Sequence, residues 1–241
     1  MDNMMVLAVE SSGTVAAVAV ANEDKLVGEF FLDHRRTHSQ QLLPLLEGLL
    51  NSLDMELGDM DIFAASNGPG SFTGLRIGIA TVKALGQALN KPVVGVPTLD
   101  GLAYNLISRE GLICPIMDAR REQVYTSIYR SGSSAHSIRA GLERLDEYMA
   151  LPVASLIEKL KAYNEPVLFN GDGVIPYWEI IKEEMGEKAH RSPISHMMQR
   201  ASSIACLALE MAHSGLTQNY MELVPFYLRK SQAEQRFGQR G

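Results

Sequence analysis

Residues Ser66 to Leu89, SNGPGSFTGLRIGIATVKALGQAL, pass from small residues through a Gly/Pro/Ser loop into a helix-forming run. Such a junction presents free N–H groups and the positive end of a helix, the chemistry of an anion cradle. The known phosphate motifs fit it poorly. A P-loop follows its last glycine with Lys and Ser/Thr to reach the outer phosphates and magnesium; here Leu75 and Arg76 follow Gly74. A dinucleotide fingerprint needs a third glycine where Thr73 stands. A turn at Pro69 and Gly70, with Ser71 or Thr73 capping the helix, accounts for the same residues. Gly70, Gly74 and Gly78 recur every four residues, and Ala80 and Ala84 repeat the spacing. Such a stripe lowers helix propensity by about 1 kcal/mol per Gly and lets another backbone come close, so it speaks for packing more than for catalysis.

Other reactive side chains are scattered. His34 and His38 share a helical face, but they flank Arg35 and Arg36, whose charge opposes a cation, and no further ligands stand nearby. Cys114 and Cys206 sit among apolar residues without C-x-x-C spacing, as buried thiols of a reducing compartment do. Asp118 ends an apolar run and is followed by Arg120 and Arg121, which suits a salt bridge across a turn. No Ser-His-Asp or Cys-His set stands out, which removes a protease reading.

The chain that must position these residues has 241 of them, 46% hydrophobic, enough for one large domain or two small ones. A net charge of −6 argues against a protein whose main task is gripping nucleic acid by itself. The N-terminus has no basic region before its short apolar run, and no stretch approaches a membrane span. The expectation is a soluble, cytoplasmic protein with no membrane partner.

Apolar periodicity gives the elements. MMVLAV, VAAVAVAN and KLVGEFFL read as three strands, joined first by the turn Glu10-Ser11-Ser12-Gly13-Thr14. Leu42, Leu43, Leu46, Leu49, Leu50 and Leu53 follow the spacing of an amphipathic helix, with Ser39 as its cap and Pro44 bending it. DIFAASNG, the glycine-striped helix and KPVVGVP complete β-β-β-α-β-α-β. LICPIMDA and VYTSIYR then read as a second hairpin, SGSSAHSIRAG as an exposed loop and VASLIEKLKAY as a helix. PVLFNGDG is a strand ending in a second Gly-rich turn at Gly171 and Gly173, and YWEIIKEEMG is a helix. ASSIACLALEMAHSG is a late helix stopped by Gly215. Both halves begin with a hairpin and continue in helix and strand units, a duplication of pattern rather than identity.

LAVESSGTVAAVAV, SNGPGSFTGLRIG, MDARREQVYTSIY, FNGDG and PFYLRKSQAE, in this order, resemble the TsaB (formerly YeaZ) family over nearly the whole chain. The resemblance implies an α/β fold of the actin-like, Hsp70-type ATPase (ASKHA) class with two RNase-H-like lobes. The lobes are expected at residues 1–106 and 107–241, with a late helix at about 201–213 that can pack back toward the first. It implies a non-catalytic partner of TsaD in bacterial synthesis of threonylcarbamoyladenosine, next to the anticodon of tRNAs reading ANN codons. TsaD carries two metal-binding histidines one helical turn apart, and Thr98 and Leu102 stand in their places here. Its third ligand is a late Asp, where this chain has Gln199 or Arg200. With all three ligands lost, no catalytic residue and no metal is expected.

The expected partner interface is built from Leu42, Leu43, Leu46, Leu49, Leu50, Gly70, Gly74, Leu75, Gly78 and Val82, docking on TsaD or on a second copy as a homodimer. A TsaE-like ATPase joins the complex, and tRNA is met only through it. Glu10, Ser11, Ser12, Gly171 and Gly173 form a vestigial nucleotide loop, with Glu10 holding its turn through hydrogen bonds. No cofactor is required by the chain itself; ATP or ADP enters only in the complex. An independent nucleotide-dependent enzyme of the same superfamily is the competing expectation. In the basic tail, Pro225 to Arg229 should pack in order, and the residues beyond Gln235 should fray.

Overall fold

The computed structural model describes residues 3–34, 37–132 and 141–229. Strands β1 (Val6–Glu10), β2 (Ala16–Ala21) and β3 (Leu26–Leu32) open the chain. Helix α1 (His38–Ser52), strand β4 (Ile62–Gly68), helix α2 (Phe72–Leu89) and strand β5 (Val93–Pro97) follow. They form one sheet in the order β3-β2-β1-β4-β5. β1 runs antiparallel to β2, with Val9 opposite Val18, and parallel to β4, with Val9 opposite Ala65. β1 and β2 are buried along their whole length, hence their unbroken apolar character.

Helix α3 (Thr98–Tyr104) leads into β6 (Gly111–Asp118), β7 (Gln123–Thr126), β8 (Tyr129–Ser131), β9 (Leu142–Arg144) and β10 (Met149–Pro152). Then come α4 (Val153–Lys161), β11 (Val167–Asn170), α5 (Val174–Met185), β12 (Ala189–Arg191) and α6 (Ala201–His213). The second sheet runs β10-β7-β6-β11-β12, with β8 and β9 off this path. Both sheets therefore repeat one plan, two antiparallel pairings followed by two parallel ones. This is the two-lobed, RNase-H-like plan of the actin-like fold.

The faces of the first sheet alternate residue by residue. Leu7, Val9, Val18, Val20 and Phe63 pack under α1 and α2 through Leu42, Leu46, Leu49, Leu50, Ile79 and Val82. Val6, Ala8, Ala17, Ala19 and Ala64 face the other way and receive α6 through Ala201, Ile204, Ala205 and Ala208. Small residues on both sides let this late helix lie close on the sheet. α3 makes the reciprocal move, burying Leu99, Leu102 and Ala103 against Ile113, Met117, Tyr129 and Leu142 of the second half. Each half thus lends its last helix to the other.

Several local expectations are corrected. VYTSIYR is two strands, β7 and β8, which pair with different stretches of β6 on either side of Ser127 and Ile128. The cap of α1 is Thr37, whose N–H donates to Gln40 Oε1 at 3.4 Å, not Ser39. Helix α5 begins at Val174, ahead of the expected Tyr177. The loop expected over 131–141 lies in part outside the described residues, as does the tail beyond Arg229.

Candidate functional site

The turn after β1 is held by its own acid. Glu10 Oε1 accepts the Ser12 N–H at 2.6 Å and the Ser12 hydroxyl at 2.5 Å. Ser11 Oγ donates to the Gly74 carbonyl at 2.9 Å, and Ser71 N–H donates to the Ser12 carbonyl at 2.7 Å. The glycine stripe of α2 makes room for this turn. A Cβ on Gly70 would strike the Ser12 carbonyl, one on Gly74 the Ser11 carbonyl, and one on Gly78 the Ser11 hydroxyl. Ser71 is the cap, accepting the Gly74 N–H at 3.3 Å.

That geometry places most of the expected interface residues in the chain's own packing. Gly70 and Gly74 approach the backbone of the chain's own turn and Gly78 the Ser11 side chain, so the glycine stripe is used for packing within the chain. Leu42, Leu46, Leu49, Leu50, Leu75 and Val82 are buried in the chain's own core. Leu43, 58% exposed, is the one residue of the expected set that stands clear of it. The outer ridge of the two helices consists instead of Leu43, Pro44 and Glu47 on α1 and Thr73, Arg76, Ala80 and Ala84 on α2, all exposed. On α2 the inward stripe is glycine and the outward one is alanine.

A cleft of about 320 Å³ lies between the lobes. Ser12, Gly13, Thr14, Gly70 and Ser71 line it from the first; Met117, Asp118, Arg120 and Asp172 line it from the second. The two loops singled out in the sequence therefore face one space. Gly171, at φ +97°, and Gly173 lie against the Ile116 carbonyl, which leaves no room for a side chain at either position. Burial raises the Glu10 carboxyl to about 7. Asp172 is raised to about 6, by burial first and by the neighbouring charge of Asp118 second. Asp118 accepts the Arg120 N–H at 2.9 Å and pairs with the Arg120 guanidinium at 3.4 Å.

The positions matched to metal ligands are otherwise occupied. Thr98 and Leu102 are buried in α3, and Leu102 belongs to its apolar cluster. Gln199 is buried against Gly13, and Arg200 is paired with Glu29. His38 Nε2 hydrogen-bonds the Gly13 carbonyl at 3.0 Å. Among the described residues no group of three or more His, Cys, Asp or Glu could hold a metal ion.

Sequence reasoning missed Asp100 on α3. Its buried carboxylate accepts hydrogen bonds at 2.8 Å from both Tyr129 and Tyr148 of the second half. The only signal was a lone acid in an apolar segment. The segment Pro225 to Arg229 is ordered, as its composition suggested: Phe226 N–H donates to the Asn67 carbonyl at 2.6 Å, and the Tyr227 ring stacks on Phe72 at 4.7 Å.

A family model described as TsaD, tRNA N6-adenosine threonylcarbamoyltransferase, matches residues 32–237. The chain is similar to the tRNA threonylcarbamoyladenosine biosynthesis protein TsaB of Bacillus subtilis, 33% identical over 231 residues, covering 96% of each chain. The Escherichia coli protein of the same name is 26% identical over 233 residues, 95% of this chain and 96% of that one. A Pseudomonas aeruginosa structure, described as an uncharacterized protein similar to peptidase YeaZ, superposes with a TM-score of 0.75 at 26% identity, covering 94% of this chain and all of the other. Component A of the (R)-2-hydroxyglutaryl-CoA dehydratase of Acidaminococcus fermentans, 10% identical, shares the fold alone, with a TM-score of 0.51 over 87% of this chain and 99% of that one. Similarity to the Bacillus protein at 33% identity over nearly the full length of both gives the family: the chain belongs to the TsaB family.

Proposed function

We propose that this chain is a non-catalytic scaffold and activator in bacterial synthesis of tRNA threonylcarbamoyladenosine. It docks on a TsaD-like catalytic subunit in the cytoplasm. A TsaE-like ATPase joins the same assembly, and tRNA is met only through it. The observation that supports this best is the α1 and α2 pair, whose inner face is filled by the chain's own sheet and turn and whose outer ridge is exposed. A partner related to the TsaD family model would present an equivalent pair, and two such ridges meet about a local twofold axis. A second copy can use the same ridge, which gives a homodimer when the partner is absent.

The buried Thr98 and Leu102 support the non-catalytic half of the reading, since a hydroxyl and an alkyl group there offer no metal centre to polarise a carbamoyl donor. The chain itself needs no cofactor in this role; ATP or ADP enters with the complex. The test is reconstitution. The purified chain is mixed with TsaD, TsaE and threonylcarbamoyl-AMP synthase of its own organism, and tRNA is assayed for the modified adenosine. Modification that needs this chain supports the proposal, and modification at full rate without it removes the activator role. The interlobe cleft favours a second reading, an independent nucleotide-dependent enzyme, which ATP turnover by the isolated chain would establish.

A further inference from the structure

Past α6 the chain runs back along α2 as a strap. Gln218 exchanges two backbone hydrogen bonds with Val93, at 3.0 and 2.9 Å. Tyr220 lies against Gly86, and Lys83 Nζ donates to the carbonyls of Met221 and Leu223 at 3.2 and 3.1 Å. Leu223 is buried in the core under α1 and α2. Phe226 N–H reaches Asn67, and Tyr227 stacks on Phe72 while its hydroxyl accepts from Arg76 Nε at 3.2 Å. All of these anchors belong to the first lobe.

Among the described residues the strap also reaches the other lobe, through Phe226 and Arg229. The Phe226 ring meets the Tyr148 ring at 5.7 Å, and Arg229 donates to the Ala119 carbonyl at 3.0 Å. Tyr148 is one of the two hydroxyl donors to Asp100, which joins the lobes through α3. Tyr227, Leu228 and Arg229 also line the interlobe cleft. Among the described residues the strap is therefore fixed along one lobe over several turns of α2 and held to the other chiefly by the Phe226–Tyr148 ring contact and by Arg229, which bonds the Ala119 carbonyl and sets its charge near Tyr125. A segment that only finished the first lobe's core could end at Leu223, and nothing in that core requires the Arg229 bond.

We infer that Gln218–Arg229 is an interlobe latch, hinged on the first lobe and caught on the second by Phe226 and Arg229, which sets the opening of the cleft. Release of the catch lets the mouth of the cleft widen while the exchanged helices α3 and α6 keep the two lobes joined. The inference stands on the lobe geometry and does not depend on the proposed partner.

The test uses the full chain carrying spin labels at the exposed positions Gln87→Cys on α2 and Glu183→Cys on α5, with Cys206→Ser in every sample. Phe226→Ala combined with Arg229→Ala removes both second-lobe contacts and leaves the first-lobe anchors in place. The intact strap should give one narrow interlobe distance, and the double variant a distribution roughly twice as wide. Amide exchange over residues 118–123 should rise about tenfold, with exchange in β1 and β11 unchanged. An unchanged distribution, or faster exchange in the sheets as well, overturns the latch. Should the double variant fail to fold, Arg229→Ala alone, which removes the hydrogen bond to Ala119 and leaves the Phe226 ring contact in place, must show the same changes to a smaller degree; an unaltered distance there overturns the inference equally.

Discussion

Ser11 and Gly74 hold each other face to face: the Ser11 hydroxyl donates to the Gly74 carbonyl at 2.9 Å, and the Ser11 carbonyl fills the space where a side chain at 74 would begin. The opposing group is backbone, at the tight end of a fully buried strand, so it has little freedom to give way. Gly74→Ala should lower unfolding free energy by about 3 kcal/mol, the upper part of the range for overpacking a close contact, and Gly74→Leu should abolish soluble folded protein. Urea unfolding measures the first. A Gly74→Ala protein as stable as the parent would mean that the turn after β1 can move aside.

The outer ridge should behave in the opposite way. Leu43→Glu and Ala84→Arg alter exposed positions, so stability should stay within about 0.5 kcal/mol of the parent. Affinity for the TsaD-like partner, read by calorimetry, should fall more than about tenfold, as expected where a charge is forced into an apolar contact. Undiminished binding by both variants would place the interface elsewhere on the molecule.

Glu10 and Asp172 make stability depend on pH. Burial raises the Glu10 carboxyl from 4.5 to about 7, and burial with the Asp118 charge raises Asp172 from 3.8 to about 6. The folded chain therefore binds protons that the unfolded chain has released. The resulting stability is complete below the unfolded values and is lost as pH rises through 6 and 7. Between about pH 5 and pH 8 the parent should lose on the order of 3 kcal/mol through Glu10, and Glu10→Gln should flatten that fall. Urea midpoints at several pH values provide the measurement. Parallel curves for parent and variant would show that Glu10 stays ionised when buried.

Truncation after Val224 removes the Phe226–Asn67 hydrogen bond, the Tyr227–Phe72 stack and the Arg229–Ala119 hydrogen bond. With each hydrogen bond near 1 kcal/mol and the stacked pair near 1, stability should fall by roughly 2–4 kcal/mol. Thermal unfolding by circular dichroism would register this, and an unshifted midpoint would mean that the strap adds no net stability.

Much of the frame was legible because buried strands and amphipathic helices write their periods into the sequence. MMVLAV, the leucines of α1 and the glycines of α2 each marked an element that exists. Periodicity, however, tells which residues share a face and not what that face meets. The spacing of Gly70, Gly74 and Gly78 announced a close approach, but whether to the chain's own turn or to another molecule depended on where Ser11 and Ser12 would lie. Helix α3 escaped notice because Thr98–Ala103 is buried on every side, so no polar face marks its turns. Ser127 and Ile128 divide an apolar run without a glycine or proline to signal the break. Glu10 and Gly171 were recognisable as loop residues, while the cleft between them arises from contacts more than a hundred positions apart. The second-lobe contacts of Phe226 and Arg229 are of the same long-range kind.

The loan of α6 to the first sheet has a consequence for biosynthesis. Val6, Ala8, Ala17 and Ala19 emerge from the ribosome early, yet their cover is Ala201, Ile204, Ala205 and Ala208. Until Ala201 to Ala208 have been translated, one side of the first sheet stays wet, and that half cannot reach its final packing on its own. Vectorial synthesis thus meets an architecture whose first sheet is closed by residues made long after it. Closing contacts so distant in sequence slow the last step of folding and leave an apolar sheet surface for chaperones to shield in the meantime.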